Sequence, residues 1–321
     1  MEPIPTGELR IANGCLSDPD QLRARLDEDG YLYFTGVLNR AAIRTTRTEV
    51  LRVLIEQKLA HPSLLEPVWA GPVTAEFMEH HEGPLQRRLG ELRLWENLVA
   101  CPPIEVFFAR LTGGPTAFIP LARYRVAPPG GLTAIHRDVT LNPGFNMVTA
   151  WIPLMRTDLT LGGLALVPGS HREGIVHSGL AAPAAASQDC AGQTPSPTPP
   201  GPWLRASYKP GDVVLMHEAL LHTGLANRSR KSIRLSVDVR FQNPAAPKAV
   251  IGRITRLETD LIYVRCDDGD MAILAVDSST LLRGKDGRSI PRSDLAKSDL
   301  QPGLRVLAAR RETTAVVVRP L

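Results

Sequence analysis

Between Phe118 and Phe241 the chain breaks into six short β-prone runs, FIPLARYRV, MVTAWIPL, GLALVPG, GDVVLMH, ALLHTG and IRLSVDVRF, separated by glycine, proline and polar turns. A lone strand leaves its backbone groups unpaired along both edges, so short strands in series must collect into sheets. The fold predicted is mainly β with flanking helices, built on a sandwich or jelly-roll core.

The first third has a different texture. In SDPDQLRARLDEDG, Ser17 or Asp18 can accept the first amides of a short helix and Gly30 can end it; the strand YLYFTGV follows. Apolar residues recur at helical spacing from Ala41 to about Ala60, and two more helical stretches, at 85–98 and 104–111, flank Pro102-Pro103. Within the β region, residues 180–202 carry AAPAAAS and TPSPTPPGP, too poor in large apolar groups to offset the entropy of ordering. They are expected to be a mobile insert that acts as a lid or as a plain spacer. After Asn243-Pro244 come AVIGRITRL, LIYVRC, MAILAV, LRVLAA and TAVVVR, joined by turns such as Asp267-Asp268-Gly269, which predict a small closed β-barrel. The organisation expected is a jelly-roll domain over 1–245 and an OB-like barrel over 246–321.

Bulk properties narrow the function classes. Hydrophobic residues make up 43% and charged residues 22%, as in an ordinary globular protein. No run of about eighteen apolar residues occurs. The opening MEPIPTGELR has neither a basic start nor an apolar stretch, so no membrane association and a cytoplasmic location are expected. The net charge is +4, with thirteen basic and ten acidic residues from Lys248 onward and near balance before it. No polyanion footprint covers the larger domain, and the barrel is expected to serve protein contact or homo-oligomer formation rather than nucleic acid. Cys15, Cys101, Cys190 and Cys266 are far apart, without a C-x-x-C pair, and read as free thiols.

The chemistry concentrates in AIHRDVTLNPGFNMVTAWIPL. His136 and Asp138 stand two apart at a strand end, where side chains i and i+2 share a face, so an imidazole and a carboxylate can reach one metal ion. A surface loop would explain the pair alone equally well. Downstream, His222 or His217 could supply a third ligand, and Arg234 begins the next strand, where a guanidinium can grip a carboxylate through two parallel hydrogen bonds. His171, His177, His61, His80 and His81 read as turn, surface or core histidines, and Trp95 as core packing. Arg137, Tyr124, Asn146 and Arg240 are candidate substrate contacts, with Arg125 beside Arg137 near the cavity mouth; Arg240 could instead be the co-substrate arginine or form a structural ion pair, and a solvated face would account for Arg137 and Arg125.

Taken together, H-R-D at 136–138, A-W-I-P-L at 150–154, G-G-L-A-L-V-P-G-S-H at 162–171, K-P-G-D-V-V-L-M-H at 209–217, L-L-H at 220–222 and R-L-S-V-D-V-R from Arg234 resemble the phytanoyl-CoA dioxygenase family of Fe(II)/2-oxoglutarate oxygenases. The resemblance spans about Leu22 to Asn243. It implies a double-stranded β-helix, with His136, Asp138 and His222 as catalytic iron ligands, Arg234 as partner of the distal carboxylate of 2-oxoglutarate, and Trp151 lining the co-substrate pocket. Family members often carry serine two residues after the last histidine. Here that position is Gly224, with Thr223 beside it as a substitute whose side chain should point the other way. Asp138 fills the position that halogenating relatives leave open, which favours oxygen insertion.

The implied activity is oxidation, by default hydroxylation, of a small molecule of the natural-product kind, using Fe(II), 2-oxoglutarate and O2 and releasing succinate and CO2. Two rivals use the same residues: a non-catalytic, cupin-like metal-binding jelly roll, for which Arg234 would be superfluous, and an oxygenase directed at nucleic acid through the C-terminal barrel.

Overall fold

The computed structural model describes residues 2–99, 108–111, 113–114, 117–173, 201–242, 246–285 and 287–321. The insert expected at 180–202 lies outside them apart from its last two residues, as do the start of the helix expected at 104–111 and the boundary at 243–245. The chain divides into two compact units; residues 138–147 group with 242–321 in the second.

In the first unit, local chemistry sets the element ends. Helix α1 (Pro19–Asp29) is opened by the Asp18 carboxylate, which accepts the amides of Asp20 and Gln21, and is closed by Gly30 at φ 75°. Asn39 caps α2 (Arg40–Glu56) in the same way, and α3 (Ala75–Glu91) and α4 (Glu96–Val99) follow. The strands are β1 (Gly7–Glu8), β2 (Tyr31–Phe34), β3 (Ala117–Ala127), β4 (Thr133–His136), β5 (Met147–Pro153), β6 (Gly163–Leu166), β7 (Leu204–Arg205), β8 (Val213–His217), β9 (His222–Leu225) and β10 (Arg234–Gln242). They form two five-stranded sheets, ordered β1-β7-β6-β9-β4 and β2-β8-β5-β10-β3, the double-sheet arrangement of a jelly roll with added strands.

The period-2 alternation of side chains explains how the sheets are covered. From β2, β5 and β8, Tyr31, Tyr33, Trp151, Val214 and Met216 point toward the other sheet and meet Leu164 and Leu166 of β6. Their neighbours Leu32, Phe34, Ala150, Ile152, Val213 and Leu215 point the opposite way, into a second core with Ile43, Val50, Leu51 and Leu54 of α2 and Leu85 and Leu89 of α3. The helices expected in the first third therefore shield the outer face of one sheet. Strand β10 is buried along its whole length, yet its two faces differ in chemistry. Leu235, Val237, Val239 and Phe241 join the helix-side core, whereas Arg234, Ser236, Asp238 and Arg240 alternate with them and are buried too. Burying four polar side chains along one face of a strand is costly unless they are hydrogen-bonded or paired.

The second unit holds α5 (Asp138–Leu141) and a seven-stranded sheet of β11 (Val250–Leu257), β12 (Leu261–Cys266), β13 (Met271–Ala275), β14 (Leu281–Arg283), β15 (Ser289–Ile290), β16 (Arg305–Arg311) and β17 (Thr314–Pro320), in the order β13-β12-β11-β16-β17-β14-β15. Ala275 of β13 also pairs with Thr314 of β17, which completes a circuit of pairings around an apolar cluster that includes Ile254, Val264, Leu274, Val306 and Val318. Arg319 donates to Asn142 Oδ1 at 2.7 Å within the same unit. Among the described residues no helix is long and apolar enough to cross a membrane. Cys15 and Cys266 are free thiols, and Cys101 and Cys190 lie outside the described residues.

Candidate metal centre

Strands β4 and β9 pair antiparallel, His136 opposite His222 and Thr133 opposite Gly224. Side chains on directly opposed residues project to the same face, so the pairing sets the two imidazoles side by side, with ring centroids 4.2 Å apart. Asp138 opens α5 two residues beyond His136, the end of β4. One ligand atom from each of His136, Asp138 and His222 lies within 4.8 Å of the other two, and all three residues are buried. Two imidazoles and a carboxylate in such a cluster form the donor set of a facial triad, suited to a first-row transition metal with open positions.

The hydrogen bonds of the imidazoles test that fit. His136 Nδ1 lies 2.8 Å from the carbonyl of Ala134, and His222 Nδ1 lies 2.9 Å from the carbonyl of Leu220. A carbonyl can only accept, so each Nδ1 carries the proton and the lone pair of the neutral ring sits on Nε2. The same two-residue back-bond at both histidines fixes tautomer and ring orientation together, which a metal site requires of its outer contacts. The residues present therefore fit a divalent ion such as Fe(II).

The cavity next to these groups is lined by Arg125, Thr133, His136, Trp151, Met216, His222, Gly224, Arg234, Ser236 and Asp238, among others. Its charged side chains other than histidine are two cations and one anion, a surplus that suits an anionic ligand. Arg234 is 3% exposed. Its Nη1 donates to the carbonyls of Leu161 and Leu225, which anchors one end of the guanidinium. Burial first, and then the Arg125 cation, pulls its pKa down to about 10, still well above neutrality. Arg125 reaches Asp238 Oδ2 through both Nε and Nη2 at 2.9 Å, a buried ion pair in the cavity wall. Trp151 packs edge-on against Tyr208 with centroids 4.6 Å apart, which fixes its ring where it lines the cavity.

Other expected site residues stand elsewhere. Tyr124 belongs to the helix-side core, where its hydroxyl accepts the Trp95 amide at 3.0 Å, and burial pushes it up to about 12. Asn146 is exposed, with a left-handed backbone at φ 50° just before β5. Arg137 turns away from the metal ligands on either side of it: Nη1 donates to the carbonyls of Ser170 and Ala219, and Nη2 pairs with Glu173. Arg240 is buried on the inner face of β10 and donates to the carbonyl of Leu121. Thr223 spends its hydroxyl on the carbonyl of Thr133 at 2.6 Å. His217, the alternative third ligand, accepts the Ala219 amide and faces His171 at 5.1 Å, apart from the three-residue cluster.

Sequence reasoning passed over Thr133, Ser236 and Asp238. The latter two were legible as the i+2 and i+4 positions after Arg234. Thr133 was not, because it lies three residues before His136, which on a regular strand means the opposite face.

Comparison with known proteins agrees with this chemistry. The family described as Phytanoyl-CoA dioxygenase (PhyH) matches residues 26–236. Proteins named 1-deoxypentalenic acid 11-beta-hydroxylase are similar: that of Streptomyces arenae is 31% identical over 71% of this chain and 82% of its own length, and that of Streptomyces exfoliatus is 28% identical over the same shares. Among solved structures, the epimerase SnoN in complex with Fe3+, alpha ketoglutarate and nogalamycin RO is 23% identical, with a TM-score of 0.46 over 72% of this chain and 85% of that one.

Proposed function

The chain belongs to the phytanoyl-CoA dioxygenase family and is an Fe(II)- and 2-oxoglutarate-dependent dioxygenase, and on that premise we propose that it hydroxylates a small molecule of the natural-product type. The observation that carries this is the buried cluster of His136, Asp138 and His222, with each imidazole held through Nδ1 by a backbone carbonyl, beside a cavity walled by a buried arginine. When bound, Fe(II) and 2-oxoglutarate supply the oxidising power: O2 is consumed, the keto acid leaves as succinate and CO2, and one oxygen atom passes to the substrate.

The chain's own residues do the holding and orienting. His136, Asp138 and His222 would hold the metal, a donor set of the kind oxygenases use with positions left for co-substrate and O2. Arg234 takes the distal carboxylate of 2-oxoglutarate, and Trp151 packs along the same pocket. A purely structural metal site would have no use for that buried guanidinium, which disfavours the cupin-like alternative. The curated relatives act on 1-deoxypentalenic acid, as their names state, and this supports a small organic substrate over nucleic acid. We assign residues 1–245 to the oxygenase domain and 246–321 to a small OB-like barrel that contacts protein, another copy of this chain included, and we place the enzyme in the cytoplasm.

The test is 2-oxoglutarate turnover by purified protein and its Asp138→Ala, His222→Ala and Arg234→Ala variants, each checked for fold by circular dichroism. The first two should abolish iron-dependent turnover and the third should raise the 2-oxoglutarate requirement. Normal turnover in all three would overturn the assignment.

A further inference from the structure

His171 and His217 stand apart from the metal cluster and face each other, with ring centroids 5.1 Å apart. Little chain separates His217 from the third ligand. Strand β8 ends at His217, β9 begins at His222, and the four residues between them carry the chain from one sheet to the other. The bonds of that turn decide where His222 lands. The Leu220 amide donates to the His217 carbonyl at 2.9 Å, the Leu221 amide donates to Ser170 Oγ at 2.9 Å, and the Leu220 carbonyl accepts from His222 Nδ1. Ala219 is buried; its carbonyl accepts from Arg137, and its amide donates to His217 Nδ1 at 3.0 Å.

That last bond fixes a protonation state. An amide can only donate, so His217 Nδ1 presents a lone pair and the neutral ring carries its proton on Nε2, the reverse of the tautomer at His136 and His222. A second proton on this ring would set N–H against N–H and leave the Ala219 amide without an acceptor. His171 is equally constrained: Nε2 donates to the Asp27 carbonyl at 3.0 Å, and the lone pair on Nδ1 is buried without a hydrogen-bond partner. The end of α1 presses on ring and turn together, since a Cβ at Gly30 would lie 2.4 Å from His171 Nδ1 and 2.7 Å from Leu220 Cδ1. The charges facing the pair are Asp27 of α1, Arg172 beside His171, and Arg137, whose Nη2 pairs with Glu173. Burial first, then Arg172 and Arg137 at His171 and His171 itself at His217, holds both rings below histidine's ordinary pKa, against the raising effect of Asp27.

We propose that His217 is a positioning residue of the metal centre: while neutral it latches, through the Ala219 amide, the turn that delivers His222, and protonation of the His171–His217 pair releases that turn and loosens the third ligand. The inference rests on the metal-centre reading above.

The experiment is anaerobic calorimetric titration of the metal-free full chain with Fe(II) at about pH 7.5 and about pH 5.5, beside amide NMR of the metal-free protein across the same range. Asparagine places a permanently neutral oxygen where His217 Nδ1 stands, whereas phenylalanine keeps a ring and offers no acceptor. His217→Asn should bind Fe(II) as the parent does at the higher pH and lose about tenfold less affinity on acidification, the share of one linked proton with histidine's ordinary pKa. Protonation of His136 and His222 is common to both proteins and cancels in that comparison. His217→Phe should weaken Fe(II) roughly ten- to hundredfold at the higher pH, the cost of one buried donor left unmet. Whether or not that variant folds, the Ala219 amide signal should titrate in the parent and stay in place in His217→Asn. Equal acid losses of Fe(II) affinity in the parent and His217→Asn, parental affinity in His217→Phe, or an Ala219 signal indifferent to pH in the parent would each overturn the inference. If the parent binds no Fe(II) at the higher pH, the metal-centre reading falls and the inference with it.

Discussion

Replacing Arg137 by methionine separates a structural clamp from a substrate contact. Arg137 stands between two metal ligands, but its Nη1 donates to the carbonyls of Ser170 and Ala219, the latter three residues before His222. Ser170 extends the tie, since its hydroxyl accepts the Leu221 amide at 2.9 Å and donates to the Val167 carbonyl at 2.7 Å. The guanidinium therefore links the turn that carries His136 and Asp138 to the entry of the strand that carries His222. A hydrogen bond from a charged donor contributes about 1.5–3 kcal/mol. The two bonds share one nitrogen and methionine retains the apolar packing of the stem, so we expect a loss of about 2–4 kcal/mol rather than the full sum. The pair with Glu173 adds little, because the glutamate side chain is 62% exposed. For a unit of this size each kcal/mol moves Tm by about 2–4 °C, so thermal unfolding of the metal-free Arg137→Met variant should come about 4–16 °C below the parent. Iron affinity should fall by roughly ten- to hundredfold, as when an outer contact of a metal site is lost. Arg137→Lys should lie between. A variant with parental Tm and iron affinity but an altered KM for the organic substrate would refute the clamp.

Arg234→Met should leave Fe(II) binding intact and raise the 2-oxoglutarate dissociation constant at least about thirtyfold, the lower end of what truncating one partner of a buried charged pair costs; calorimetric titration checks it. Acid stability should follow His171 and His217. Burial lowers both pKa values, helped at His217 by the neighbouring His171 and at His171 by Arg172 and Arg137, against the raising effect of Asp27. The unfolded chain then binds more protons than the folded one once pH falls below about 6.5, so Tm should drop on acidification through that point, and His217→Gln should flatten the slope. A Tm indifferent to pH between about 7 and 5 would count against this pair.

The β architecture was legible because each apolar run is short and is closed by a turn residue: every run from FIPLARYRV to TAVVVR coincides with a strand. The helix at α1 was legible through Asp18 and Gly30 for the same local reason. His136, Asp138 and His222 could be read from type and spacing once their neighbours were considered together. What escaped was long-range. Tyr124 sits in a strand pointing into the helix-side core, a direction no local pattern fixes. Arg137 is held by carbonyls more than thirty and eighty residues away, so its role depends on tertiary partners. Thr133 was hidden by the register shift in β4, which reverses the face that period-2 counting assigns.

On this reading the triad and the cavity beside it form one functional site for Fe(II) and 2-oxoglutarate. Anaerobic addition of Fe(II) and then 2-oxoglutarate to metal-free protein tests this without a substrate. A visible iron-to-keto-acid band should form at a stoichiometry of about one and be absent in His222→Ala. Fe(II) binding with no band on adding 2-oxoglutarate, or a band that survives in His222→Ala, would contradict it.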